Sequence, residues 1–255
     1  MNILCLIKQV PDSLEVRMGS DLTLQRDFVA QVLNHADESA VELALQLRDK
    51  HGGKVTALTM GPPGAEGTLR ELISRNADDA VLLTDKAFAG ADTLATARAL
   101  AAAAKVLGPF DLLLFGRRAA DGETGQVGPM TAALMGIPCI ANITSAEFTE
   151  ENILTARQLT ETGTVLWEAK PPCALTLCEW SYALRLPTMG GLRKAKQAAV
   201  RIMTPADIDM EDLTKIGLKG SPTRVTRIDA RSGGVKPTKW VTVDEAIEVV
   251  KGMCP

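Results

Sequence analysis

The stretch DLLLFGRRAADGETGQVGPMTAALMG, Asp111 to Gly136, runs from an apolar segment through a glycine-bearing loop into an alanine-rich segment. Asp111–Phe115 reads as a strand, short and leucine-rich. The loop after it sets Gly122, Gly125 and Gly128 among acid, hydroxyl and amide side chains. Pro129 then suits a first helical turn, where its missing N–H costs nothing. Strand, glycine loop and helix start together make the unit of an α/β fold with a mostly parallel sheet, and ligands collect at such loops.

The same rhythm extends back to the start of the chain. Strands are predicted at Asn2 to Ile7, Lys54 to Thr59 and Asp79 to Thr84. Helices are predicted over Ala36 to Lys50, Gly64 to Asn76 and Asp92 to Leu107, the last with Asp92 or Thr93 as N-cap and Gly108-Pro109 as a stop. Downstream, Cys139 to Ile143, Ile153 to Gln158, Thr164 to Trp167 and Cys173 to Cys178 read as further strands. A hairpin turn at Thr160 to Gly163 suggests antiparallel additions to one edge. From Gln197 to Trp240 periodicity fades, as expected of an extended arm. Thr242-Val-Asp-Glu245 is a capping box that opens a short closing helix. The expected division is a nucleotide-binding α/β domain over 1–196, and a C-terminal arm and helix over 197–255 that lies on another chain.

Composition narrows the function. The chain has 255 residues, 46% hydrophobic and 23% charged, with a formal charge of -3, so it lacks the basic excess of a general nucleic-acid binder. No apolar run nears the roughly 20 residues that cross a bilayer, and the start has no signal-peptide pattern; a cytoplasmic protein without membrane insertion is expected. Five cysteines show no C-x-x-C pair and no adjacent histidine, which argues against a metal site. Cys5 and Cys139, in apolar runs, read as core residues. With two histidines and one tyrosine the chain is short of acid/base groups, and no catalytic residue is assigned. That shortage favours a protein that holds a cofactor.

Reading the strand ends together locates the candidate site. They are Ile7-Lys8-Gln9-Val10-Pro11-Asp12, Thr59-Met60-Gly61-Pro62-Pro63-Gly64, Asp85 through Gly90 to Thr93, and the loop after Phe115. Glycines let backbone N–H groups approach an anion, and a helix N-terminus adds about half a positive charge. Neither G-x-G-x-x-G nor a P-loop occurs where a strand meets a helix. Taken alone, Met60 to Gly64 is a tight turn and Gly90 to Thr93 a helix cap. The run Asp121 to Gly128 exceeds what a turn needs, and its amide and hydroxyl groups suit a ribose and an adenine edge.

Over essentially its whole length the chain resembles the small (beta) subunit of an electron-transfer flavoprotein. The likeness is carried by Ile7-Lys8-Gln9-Val10-Pro11-Asp12, Leu33-Asn34-His-Ala-Asp37-Glu38, Leu58-Thr-Met60-Gly61-Pro62, Phe115 through Asp121 and Gln126 to Pro129, and Leu192-Arg-Lys194-Ala-Lys196. The resemblance implies a large (alpha), FAD-bearing partner subunit, and electron exchange with an acyl-CoA dehydrogenase or another flavin dehydrogenase.

Two versions of that family differ in the small subunit's nucleotide. The ordinary one holds AMP as a structural group; the bifurcating one holds FAD, takes electrons from NADH and divides them between two paths. Leu83 through Gly90 to Thr96, with Asp121 to Pro129, resembles the bifurcating group. By this resemblance Leu6, Asn34, Ala36, Asp37 and Met60, with Asp121, Gly122, Glu123, Thr124, Gly125, Gln126, Val127, Gly128, Met130 and Thr131, surround the adenine end, and Asp92, Thr93 and Thr96 approach the pyrophosphate or NAD. Partner docking falls to Trp180, Leu186, Met189 and Leu192. Here the chain departs from the family, which usually carries Asn-Glu-Pro-Arg-Tyr and an anchoring leucine where this chain has Glu179 to Gly191 and Met189. Two alternatives stand beside FAD-linked electron transfer: an AMP-binding structural subunit, and a stand-alone ATP-binding α/β protein.

Overall fold

Residues 1–12, 30–210, 212–226 and 240–253 are described in the computed structural model of the chain. Strand β1 (Asn2–Leu6) lies next to the central strand of the main sheet, and its side chains from Ile3 to Leu6 alternate between two buried clusters. Ile3 and Cys5 join one; Leu4 and Leu6 join the other. A small antiparallel ribbon follows, β2 (Gln9–Pro11) on β3 (Gln31–Leu33). Segments of three residues are too short to show alternation, and nothing in the sequence announced them.

The strand–helix units come next: α1 (His35–His51), β4 (Lys54–Met60), α2 (Glu66–Ser74), β5 (Asp79–Leu83), α3 (Thr93–Leu107), β6 (Leu112–Gly116) and α4 (Val127–Met135). Helix α2 is shorter than its periodicity predicts. Pro63–Ala65 forms a 3₁₀ turn ahead of it, and beyond its end Asn76 takes a left-handed φ of 77°. The second half adds β7 (Cys139–Phe148), β8 (Leu154–Thr160), β9 (Gly163–Ala169), β10 (Cys173–Leu177), α5 (Met189–Gln197) and β11 (Arg201–Met203).

Among the described residues the main sheet has the order β11-β5-β4-β1-β6-β10-β7-β8-β9. From β1 the chain winds outward through β4 and β5, then returns to lay β6 on the other side of β1. Helices α1 and α2 bury their apolar faces in the cluster with Ile3, whereas α3 and α4 pack with Leu4 and Leu6. The reversal makes the carboxyl ends of β1 and β6 the switch point of the sheet, the position at which open α/β sheets take ligands in a crevice.

Two features correct the sequence reading of the later strands. Among the described strands of the main sheet only β8 runs against the others, pairing antiparallel with β7 on one side and β9 on the other. Strand β10 is inserted between β6 and β7, parallel to both. Its residues are buried throughout, as a strand covered on both faces requires, while β9 is exposed along nearly its whole length. Strand β11 pairs in parallel with β5, and Met203, Ile208 and Ile216 enter the core beside α3.

The chain divides into two compact units, Met1–Arg224 and Val225–Pro255. In the second, helix α6 (Val243–Met253) opens with the predicted capping box: the Glu245 N–H donates to Thr242 Oγ1 at 3.4 Å, and the Thr242 N–H donates to Glu245 Oε2 at 2.8 Å. Residues 227–239 of the expected arm, and Cys254, lie outside the described residues. No helix among the described residues is long and apolar enough to cross a membrane.

Candidate functional site

One carboxylate adds a bridge across the switch point. Asp37, in the first turn of α1, accepts the Lys8 N–H through Oδ2 at 2.7 Å and the Gly116 N–H through Oδ1 at 2.9 Å. Those donors stand just past the end of β1 and at the end of β6, so Asp37 ties the two sides together. Glycine is required at 116, because a Cβ there would run into Asp37 Oδ1 and Ala36. Burial pushes the Asp37 carboxyl up to about 7, against the pull of the Lys8, Asn34 and Gly116 donors and the Lys8 charge.

Neighbouring side chains fix the loop that leaves β6. Asn34 donates through Nδ2 to the Arg118 carbonyl at 2.9 Å and accepts the Ala120 N–H at 3.1 Å. Lys8 Nζ grips both oxygens of Asp121, at 2.6 and 2.8 Å. Lys8, absent from the residues singled out by sequence, sits beside Gln9 in a motif the sequence does display. Its role was hidden because the partner is more than a hundred positions away.

Beyond Asp121 the loop opens to solvent: Gly122, Glu123, Thr124, Gly125 and Gln126 are exposed, with left-handed φ at Glu123 (52°) and Gly125 (62°). Val127 and Met130 are half-buried. Gly128 is buried, and a Cβ on it would stand 2.8 Å from Thr176 Cγ2 and 3.2 Å from the Phe115 ring, so glycine is what lets α4 lie on β6 and β10. Thr131 is fully buried and its hydroxyl donates to the Val127 carbonyl at 2.7 Å.

Thr93 Oγ1 donates to Gln126 Oε1 at 3.0 Å and so joins the starts of α3 and α4. Both helix N-termini therefore open at one place, each with first-turn N–H groups that have no intrahelical acceptor and the positive end of a helix dipole. Asp92 caps α3: Oδ1 accepts the Ala95 N–H at 3.0 Å, while Oδ2 accepts the N–H and hydroxyl of Thr223 at 3.0 and 2.7 Å. Burial opposes its charge, but these donors outweigh it and hold the carboxyl below its usual range. Thr93 and Thr96 are half-buried on the first turn of α3. Leu6 and Ala36 lie buried under the crevice, and Met60 is half-buried at the end of β4.

The segment after β10 wraps over α1 and α2. Ser39 Oγ accepts the Tyr182 N–H at 3.3 Å, and Arg185 pairs with Glu42 at 3.0 Å and Asp49 at 2.7 Å. Arg75 donates to the Arg185 carbonyl at 2.6 Å. Thr188 caps α5 by accepting the Gly191 N–H at 2.9 Å. Tyr182 and Leu184 pack against the core, while four apolar side chains of the segment turn outward: Trp180 is 81% exposed, Leu186 81%, Met189 72% and Leu192 42%.

Comparison with known proteins bears on the family. The family model described as the electron transfer flavoprotein domain matches residues 21–208. The chain is 40% identical over 253 residues to protein FixA of Azorhizobium caulinodans, covering 96% of this chain and 90% of that one. It is 44% identical over 227 residues to the electron transfer flavoprotein subunit beta of Thermoanaerobacterium thermosaccharolyticum, 88% and 86% of the two chains. The acryloyl-CoA reductase electron transfer subunit gamma of Anaerotignum propionicum is 40% identical over 233 residues, again 88% and 86%.

Proposed function

The chain belongs to the electron transfer flavoprotein family, among its small (beta) subunits, and from that premise we propose that its crevice holds FAD and passes electrons between NADH or a dehydrogenase and other redox partners. The observation that carries the proposal is the joined start of α3 and α4 through Thr93 and Gln126, beside the exposed glycine loop. Two convergent helix N-termini suit a pyrophosphate. Gln126 and Thr124 offer amide and hydroxyl groups for a ribose, and Lys8, Asn34 and Asp37 hold the loop and its root by hydrogen bonds within the chain. FAD, when bound, supplies the one- and two-electron chemistry; the chain's own residues bind, orient and shield it.

The large subunit is the partner expected from the family. We assign Trp180, Leu186, Met189 and Leu192 to docking of a flavin dehydrogenase, of which an acyl-CoA dehydrogenase is one class; the relative named as a subunit of acryloyl-CoA reductase supports that choice. A cytoplasmic location fits the same reading.

One observation favours the AMP-binding structural version: the Asp92 carboxylate is occupied by the α3 cap and Thr223. Under that version Thr93 and Thr96 belong only to a helix start. The stand-alone ATP-binding protein has no observation in its favour.

The test is to copurify the chain with its large subunit and count nucleotides. Two FAD per heterodimer are expected. One FAD with one AMP would select the structural version instead. Substituting Thr93 and Thr96 lowers flavin content only if FAD occupies the crevice, and reduction of the pair by NADH tests the electron source separately.

A further inference from the structure

We propose that Glu179 is a positioning residue that couples the nucleotide loop to the docking segment through Arg118. The inference rests on the two assignments just made and adds the link between them. The Glu179 side chain is mostly buried; its Oε1 accepts Arg118 Nε at 3.0 Å, and its Oε2 forms an ion pair with Arg117 Nε at 2.8 Å. The terminal nitrogen Nη1 of Arg118 lies 3.6 Å from Glu123 Oε1 on the loop's exposed arc. Trp180, the residue after Glu179, begins the outward-facing segment with a left-handed φ of 58° and its ring 6.5 Å from that of His35. A line of charge thus runs from Glu123 through Arg118 to Glu179 and ends beside Trp180.

Arg118 is the element able to change along this line. Its backbone is pinned, because Asn34 takes its carbonyl and the Arg117 N–H donates to the Leu177 carbonyl at 2.8 Å. Its guanidinium is shared between two carboxylates. The Glu179 pair is a charge-assisted hydrogen bond, roughly twice as strong as a neutral one, whereas the Glu123 pair at 3.6 Å is solvent-exposed and weak. A nucleotide that engages the loop and draws Glu123 away leaves Arg118 to Glu179, which tightens the start of the docking segment. Further along, Ser39, Glu42 and Asp49 already hold Tyr182 and Arg185, so the posture of residues 179–181 depends chiefly on Glu179. Coupling is reciprocal: a partner seated on Trp180 strengthens nucleotide binding by the same factor.

The experiment uses the full heterodimer, stripped of nucleotide and then supplied with AMP or FAD, and follows residue-resolved hydrogen exchange at residues 179–181. In the wild type, nucleotide is expected to slow exchange by about tenfold, within the usual range of coupling between sites. In Glu179→Gln, which keeps the side-chain shape, nucleotide binds by calorimetry but that protection is lost; Arg118→Gln gives the same result should the first variant fold poorly. Glu123→Gln, which frees Arg118 for Glu179, shows protection before any nucleotide is added. Full nucleotide-dependent protection in both Glu179→Gln and Arg118→Gln would overturn the proposal. Binding to the wild type with no protection overturns the coupling alone, whereas failure of the wild type to bind either nucleotide overturns the nucleotide assignment and the coupling with it.

Discussion

At the scale of single residues, the crevice depends on side chains facing inward to the chain itself. Asp37 reads from the sequence as a ligand contact, yet both its oxygens are taken by backbone N–H groups that close the sheet's switch point. Its folded pKa of about 7 lies above the ordinary carboxylate value, so the folded chain holds this proton more tightly than the unfolded one. The stability this contributes is full below the ordinary carboxylate range and is lost as pH rises to about 7. Asp37→Asn has no such proton to lose. The melting temperature of the variant should therefore gain on that of the wild type between pH 4 and pH 7; a gap that moves the other way would show that the N–H donors outweigh burial.

At the scale of elements, α3 carries its own cap and a strap from the end of the first unit. Asp92→Ala removes a helix cap worth roughly 0.5–2 kcal/mol. For a chain of this size that corresponds to a fall of about 2–4 °C in melting temperature per kcal/mol. It also releases Thr223, so limited proteolysis near Arg224 should quicken; unchanged cleavage would mean that the strap is held by other contacts. The segment leading into α5 behaves differently. Met189 is 72% exposed, so Met189→Ala should leave the melting temperature unmoved. If it anchors the partner as interface hot spots do, its loss costs about 2 kcal/mol or more, a rise of over tenfold in KM for the dehydrogenase. Equal KM in the two proteins would remove Met189 from the docking set.

At the scale of the whole molecule, the core of the first unit is completed by its own late residues, Met203, Ile208 and Ile216. A chain ending at Arg224 is thus expected to fold with the sheet intact, as judged by cooperative unfolding close to that of the full chain. The second unit presents exposed Val243, Ile247 and Val250 on α6. If, as the sequence suggests, the arm and α6 lie on the partner chain, the truncated chain should no longer copurify with the large subunit; undiminished copurification would place the contact within the first unit.

Local chemistry was legible in the sequence. Short apolar runs set between helical patterns gave away β1, β4, β5 and β6, the glycine loop marked the carboxyl end of β6, and Thr242 with Glu245 announced α6, because each signal lies within a few neighbouring residues. Order in the sheet was not legible: β10 slips between β6 and β7, and β11 closes the far edge, through pairings between distant segments that leave no period in the chain. The candidate site divides along the same line. Its residue types stood in plain view, but Asp37 bridging two strand ends, Lys8 gripping Asp121 and Glu179 holding Arg117 and Arg118 arise only when folding brings remote charges within hydrogen-bond distance. Short-range sterics and periodicity are written residue by residue; the partners of a buried charge are chosen by the tertiary structure, since only there is water withdrawn and the cost of an unpaired charge imposed.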